Sequence, residues 1–369
     1  MTTYVIIASV TFTLIIIFFY NRLTYTESIS SPSYNLVMQD IQNISRYTGE
    51  KIPINEKCNL YQKIVSEPIH PQVLTWECSK ENTCAGLGDQ IRSLVSLFVY
   101  ANDRNYKFNI LWKEPYDIYP EILLPNLYDW KNKTKIINSK KMSSFNNCDW
   151  NMDYDFIRIA TSQQFNDNSD CDNWVHIDTA KIMKYWLDDY KPQVRGCGFW
   201  YLFKFGSYLE KKLSHYEKEL SDWLKDKVYK NIITIQIRTG DQVLLGNKKP
   251  TDHLLNGYLK CAIKIQDELG LKDVVYFLTT DSYTLKQKAK KKYNNYIFTT
   301  SIEPRHSGIA TTGLNYLKKN GKDIITESLV EVIMMAKTNV LIRSHSGFGI
   351  SAEHLGLMNN VVTYPECKL

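Results

Sequence analysis

The sequence predicts an α/β fold built as two parallel, doubly wound halves that face a cleft. Three observations carry this. Strand-length runs of β-branched and apolar residues alternate with segments whose apolar residues recur at helical spacing. Polar and glycine-bearing motifs sit where those strands end and helices begin, the place where open α/β sheets bind ligands. The chain has 369 residues, 44% of them hydrophobic, enough for about two domains with real cores. Aromatic residues at 13% and charged residues at 23% fit a globular chain rather than a disordered one. The net charge of +6 suits an acidic ligand, without the dense basic stripe of a nucleic-acid binder, so no nucleic-acid partner is expected.

Residues 5–20, VIIASVTFTLIIIFFY, carry no charge and are followed by Arg22. The run reaches the lower length limit of a membrane-spanning helix. The alternative is a cleaved signal peptide, but no small-x-small cleavage site stands out and the run is rich in bulky Ile and Phe. An uncleaved anchor over residues 1–22 is therefore expected, with a polar stem over 23–57 and the fold starting near Cys58. The flanking charges would keep the C-terminal part in the cytosol. Two acceptor triplets, Asn43-Ile44-Ser45 and Asn132-Lys133-Thr134, and eight widely spaced cysteines pull toward a secretory lumen. The lumen is the expectation, as a single-pass type II Golgi or ER membrane protein.

Within the fold, residues 73–77 read as a strand, 84–90 as a glycine-bearing turn, 91–102 as a helix and 108–112 as a strand. The helix rests on Ile91, Leu94, Val95, Phe98 and Val99 at helical spacing. Residues 123–190 are rich in Asn, Asp and aromatics and show no clear period. The C-terminal half reads as strands at 232–238, 274–279, 296–299, 340–343 and 360–364, with helices at 254–269, 283–293, 324–337 and 349–357. The lysine run 286–292 is expected to be a solvated helix face. The boundaries that follow are 58–225 for a first half and 226–369 for a second.

Four motifs carry candidate chemistry. Gly86-Leu87-Gly88-Asp89-Gln90 precedes a helix, where glycines permit close approach to backbone, although an ordinary βα turn would look the same. Arg238 ends the strand of Ile235-Gln236-Ile237-Arg238-Thr239-Gly240-Asp241 and can aim a planar guanidinium at a phosphate; a plain pairing with Asp241 is the alternative. Asp281, in Thr279-Thr280-Asp281-Ser282, can accept donors from a base or a ribose, or cap the following helix. Ser344-His345-Ser346-Gly347-Phe348-Gly349 precedes a helix whose N-terminus could hold a phosphate; a loop with a capping serine is the alternative.

Together, IQIRTGD, TTDS and SHSGFG, with GLGDQIR upstream, resemble the superfamily of α1,2-, α1,6- and protein-O-fucosyltransferases. The resemblance spans residues 76–105 and 232–364 and leaves out the middle. It implies the GT-B fold, two Rossmann-like domains with the donor held mainly by the second, the first serving the acceptor. It implies that Arg238 contacts the donor β-phosphate, that Asp281 reads guanine or ribose, and that Ser344, Ser346, Gly347 and Phe348 line the phosphate and nucleoside pocket. Gln236 stands where many members have His, and Asp89, in the acceptor-side turn with Gly86 and Gly88, where many have Asn. The implied reaction is transfer of L-fucose from GDP-fucose, with inversion, to a glycan or glycoprotein. No cofactor and no metal is expected, since the donor-binding half carries no Asp-x-Asp pair. Asp89 is the candidate base for the acceptor hydroxyl, although capping the next helix is the commoner role for such a residue. Glu303 and His306 are weaker candidates. The competing functions are a GT-B transferase for another nucleotide sugar and a catalytically silent sugar-binding membrane protein.

Overall fold

The computed structural model describes residues 45–52, 54, 58, 73–79, 86–103, 106–131, 139–142, 156–159, 191–240, 252–305 and 313–369. The candidate anchor at 5–20, the triplet at 132–134, Asn43, Asp241 and His306 lie outside them. Among the described residues no helix is long and apolar enough to cross a membrane.

The first sheet is parallel, with strand order β2-β1-β5-β4. Its strands are β1 (Val73–Cys78), β2 (Lys107–Trp112), β4 (Ser139–Met142) and β5 (Phe156–Ile159). Helix α1 (Leu87–Asp103) links β1 to β2 and packs by Leu94, Val95 and Phe98, with Phe98 against Phe108 at 5.4 Å between ring centroids. A short helix α2 (Tyr119–Ile122) leads into β3 (Leu123–Pro125), which pairs antiparallel with β6 (Phe203–Phe205). Helix α3 (Lys191–Leu202) precedes β6. Helix α4 (Ser207–Leu224) follows and buries Leu209, Leu213, Tyr216 and Leu220 on one stripe.

The second sheet holds β7 (Asn231–Ile237), β8 (Val274–Thr280), β9 (Ile297–Phe298), β10 (Val340–Arg343) and β11 (Val361–Thr363). All pairs are parallel and the order is β11-β10-β7-β8-β9. Helices α5 (Asp252–Glu268), α6 (Tyr283–Tyr293), α7 (Leu314–Ala336) and α8 (Gly347–Leu355) connect them. Strands buried on both faces need near-continuous apolar residues, and Ile233, Ile235, Ile237, Leu278 and Ile342 supply them. Strand order reverses between β7 and β10, so the crevice for a ligand opens at their C-terminal ends. Arg238 and Ser344 are the residues that follow there.

Ile41–Leu369 forms one compact unit containing both sheets. The folded part also begins earlier than Cys58. Arg46 donates to the Thr338 carbonyl at 2.6 Å, the Tyr47 amide donates to the Lys337 carbonyl at 3.2 Å, and Ile52 and Ile54 are buried. Polar composition hid this, because the contacts are made by backbone and one guanidinium. Disulfides join Cys58 to Cys197 and Cys261 to Cys367, and Cys78 is disulfide-bonded too.

Two element boundaries differ in ways that matter. Helix α1 starts at Leu87, so Gly88 and Asp89 sit in its first turn rather than in a loop. Helix α7 starts ten residues before the expected 324. Its polar first half, LNYLKKNGKD, has no apolar period to announce it.

Candidate active site

The four motifs meet in one cavity. Leu87, Gly88 and Asp89 line it from α1, with Gly86 just before the helix. Gln236 comes from the end of β7 and Arg238 just after it, Thr279 and Thr280 from the end of β8 and Asp281 just after it, and Ser346, Gly347 and Phe348 from the start of α8.

The α1 and α8 helix starts are pressed together. A Cβ on Gly88 would collide with the Gly347 carbonyl group and the Phe348 amide nitrogen. A Cβ on Gly347 would come within 2.8 Å of Asp89 Oδ1. The glycine of GLGDQ is thus required for close backbone approach, not for a turn. Asp89 lies in the first turn of α1, past the capping position, and its Oδ1 is 3.5 Å from Arg92 Nη1. A carboxylate there complements the helix dipole while one face borders the cavity.

Arg238 is held from two sides. Its backbone N–H donates to Ser344 Oγ at 2.8 Å, and its Nη1 donates to Asp281 Oδ2 at 2.6 Å. Asp281 collects three further donors: the Thr239 amide and hydroxyl on Oδ1, both at 2.7 Å, and the Gly240 amide on Oδ2 at 3.1 Å. A carboxylate offers about four acceptor directions, and all four are filled from within the chain. Asp281 thus fixes Arg238 and the turn after β7; a direct contact with guanine or ribose would have to displace one of these donors. It is not the cap of α6 either. That cap is Ser282, whose hydroxyl accepts from the Leu285 amide at 3.3 Å.

Ser346 caps α8, accepting from the Gly349 amide at 3.3 Å, and donates to Gln236 Oε1 at 3.2 Å. The Ser344 amide also donates to Gln236 Oε1. A backbone N–H can only donate, so the Gln236 oxygen faces the β10–α8 loop and its amide nitrogen is left for the cavity that Gln236 lines. Ser344 is buried behind this wall. Its hydroxyl bonds the Gln236 carbonyl and Tyr258 as well as Arg238, so it braces the site instead of lining it. Phe348 borders the cavity directly.

Behind α8 lies a buried basic cluster. Arg343 donates to Glu353 at 2.9 Å, and Arg92 and Arg195 stand nearby. Burial first, then the neighbouring Arg92, lowers the Arg195 pKa to about 10. Burial and three arginines push the His354 pKa well below the usual imidazole range. An excess of cations behind a helix N-terminus raises the positive potential that an anion would meet there.

The far end of the cavity was not legible as a site. Ile302, Pro304 and Ile324 give it apolar faces, and Glu303, Glu327, Ser328 and Glu331 give it polar ones. Glu303, a candidate base, pairs with Arg305 at 2.7 Å. Glu331 is a single acid in the apolar run SLVEVIMMA. A lone charge in such a run needs a buried partner, and that signal could have exposed it.

No protein-family model matches the sequence, and no curated protein matches it. Solved structures do. A mutant of Arabidopsis thaliana FUT1 in complex with GDP is similar at TM-score 0.50 and 14% identity, over 84% of this chain and 77% of that one. The likeness is one of α/β fold. Two further structures match more loosely. Fucosyltransferase NodZ from Bradyrhizobium does so at TM-score 0.48 and 15% identity over 80% and 96% of the two chains, and apo POFUT1 at 0.42 and 9% over 81% and 100%. The cavity lies at the C-terminal edge of the second sheet, with the start of α1 as its other lip.

Proposed function

We propose that this chain is a fucosyltransferase that transfers L-fucose, with inversion, from GDP-fucose to a glycan or glycoprotein acceptor. One observation carries the reading. Arg238, locked by Asp281, shares a cavity with the capped N-terminus of α8, at the strand-order reversal of a sheet whose fold is shared with a GDP-bound structure.

The chemistry follows from the groups present. Loss of GDP puts negative charge on the β-phosphate as the sugar becomes cationic. A guanidinium with a fixed direction and the amides at the start of α8 stabilise that charge more in the transition state than in the ground state. The amide of Gln236 adds a neutral donor where a histidine would titrate. The nucleobase belongs at the apolar end, between Ile302, Pro304 and Ile324, where the Glu331 carboxylate can accept N–H donors from a guanine edge. Asp89 borders the cavity on the acceptor side and is the proposed base for the attacking hydroxyl, with Arg92 orienting it. These groups supply charge neutralisation without a divalent ion.

The test is release of the nucleoside diphosphate, GDP or UDP, from purified protein offered GDP-fucose, GDP-mannose and UDP-galactose in the presence of a chelator. GDP-fucose is expected to turn over alone, at an unchanged rate. Turnover of another donor instead, or GDP binding without turnover, would favour one of the two competing functions. The further proposal of a luminal type II membrane protein is supported by the disulfides, which form in oxidising compartments. A mobility shift on N-glycan removal checks it.

A further inference from the structure

Lys286 opens the basic run 286–292, yet it is 2% exposed. Its Nζ donates to Glu331 Oε1 at 2.6 Å, to the Ile302 carbonyl at 2.8 Å and to Thr300 Oγ1 at 3.1 Å. An ammonium has three donors, and all are used. Thr300 Oγ1 in turn donates to the same Glu331 Oε1 at 2.7 Å. One carboxylate oxygen is therefore gripped from two sides. The other, Oε2, accepts no hydrogen bond among the described residues, is not sealed off as a buried orphan, and belongs to a residue that lines the cavity.

A buried Lys–Glu pair is a poor way to stabilise a core, because desolvation offsets most of the attraction and an apolar pair of similar volume does as well. What the pair supplies, and an apolar pair would not, is a carboxylate with one oxygen pinned and the other presented to the ligand. We propose that Lys286 and Thr300 are positioning residues that orient Glu331 so that its Oε2 accepts the exocyclic amine of a guanine nucleotide. The proposal rests on the donor-site reading above. Its distinct content is that base selectivity is set by a lysine and a threonine that do not touch the ligand.

The test compares GDP with IDP, which lacks that amine, by calorimetry on the full folded chain. IDP should bind the unaltered protein about tenfold more weakly, the loss of one charge-assisted hydrogen bond. In Lys286→Met and in the milder Thr300→Val, GDP affinity should fall toward that of IDP, leaving the ratio within about threefold, while IDP affinity barely changes. A merely structural role would weaken both nucleotides by the same factor and keep the ratio, which would overturn the proposal. The double variant Lys286→Met/Glu331→Leu restores a neutral core and should bind the two alike; retained discrimination there would also overturn it. If Lys286→Met does not fold, Thr300→Val decides. Failure of the unaltered chain to bind either nucleotide would overturn the donor-site reading itself, an outcome distinct from a ratio that survives the substitutions.

Discussion

A guanidinium serves a leaving diphosphate only if it cannot swing away, and Asp281 is what restrains Arg238. Lysine at 238 keeps the charge but loses the planar fork that can bond Asp281 and a phosphate together. Arg238→Lys should lower kcat by about two to three orders of magnitude, the scale of losing one oxyanion-type donor, with the circular dichroism spectrum intact. Near-normal turnover would remove Arg238 from the donor phosphate. Asp281→Ala should release Arg238 together with the Thr239 and Gly240 amides. GDP affinity and kcat should both fall, with a stability loss of about 1–3 kcal/mol from the orphaned donors. Unchanged GDP affinity with the stability loss alone would make Asp281 structural. Arg238 and Asp281 were legible in the sequence because a charged residue ending an apolar strand has a position that alternation fixes. Their mutual bond was not, since 43 residues separate them. Lys286 was misread for the same reason: its basic neighbours suggest solvent, while its partner lies 45 residues on.

Among the elements, the long apolar strands of the second sheet and helix α6 were legible nearly to the residue, because their periodicities are unbroken. The short strands SKKM and FIRI were not, since four residues without alternation carry no strand signal. Helix α1 shows how a glycine can mislead. Gly88 looks like turn chemistry, yet its lack of a Cβ is what lets α1 meet α8. Alanine there has backbone atoms to displace, not a flexible side chain. Gly88→Ala should therefore destabilise by about 1–3 kcal/mol, although alanine is the better helix former by about 1 kcal/mol. GDP affinity should fall with it, because the two helix starts that line the cavity are pushed apart. A raised melting temperature would show that propensity wins and that the close approach is slack.

For the molecule as a whole, the parallel α/β architecture was legible, while the separation into halves at residue 225 is not visible as a gap in packing. Both sheets belong to one compact unit, with buried ionisable groups at its centre. His354 is one of them. Its folded pKa lies below the ordinary value, so the unfolded chain binds the proton more readily. The stability it contributes is present above the unfolded pKa of about 6.5 and is lost as pH falls from there toward the folded value. Burial drives it down first, then Arg195, Arg92 and Arg343, and Glu353, whose own pKa burial raises, stands beside Arg343. The melting temperature should drop between about pH 7 and about pH 5, and His354→Gln should flatten that slope. An equal slope in the variant would assign the pH dependence to other groups.

Arg46 has a practical corollary for anyone preparing a shortened form. Its guanidinium closes the carbonyls left open where α7 ends, and beside it the Tyr47 amide bonds the Lys337 carbonyl and Thr48 Oγ1 accepts from Asn339. A form cut at Cys58, the boundary that composition suggests, would strip this cover and leave the Thr338 carbonyl facing water. It should melt lower than a form cut before Arg46, by a margin that includes about 1.5–3 kcal/mol for the charge-assisted bond alone. It would also start at one end of the bridge to Cys197, with no chain ahead of that anchor point to guide the oxidative pairing. Yield and thermal shift of the two forms, expressed side by side, would show where the folded body of this protein begins.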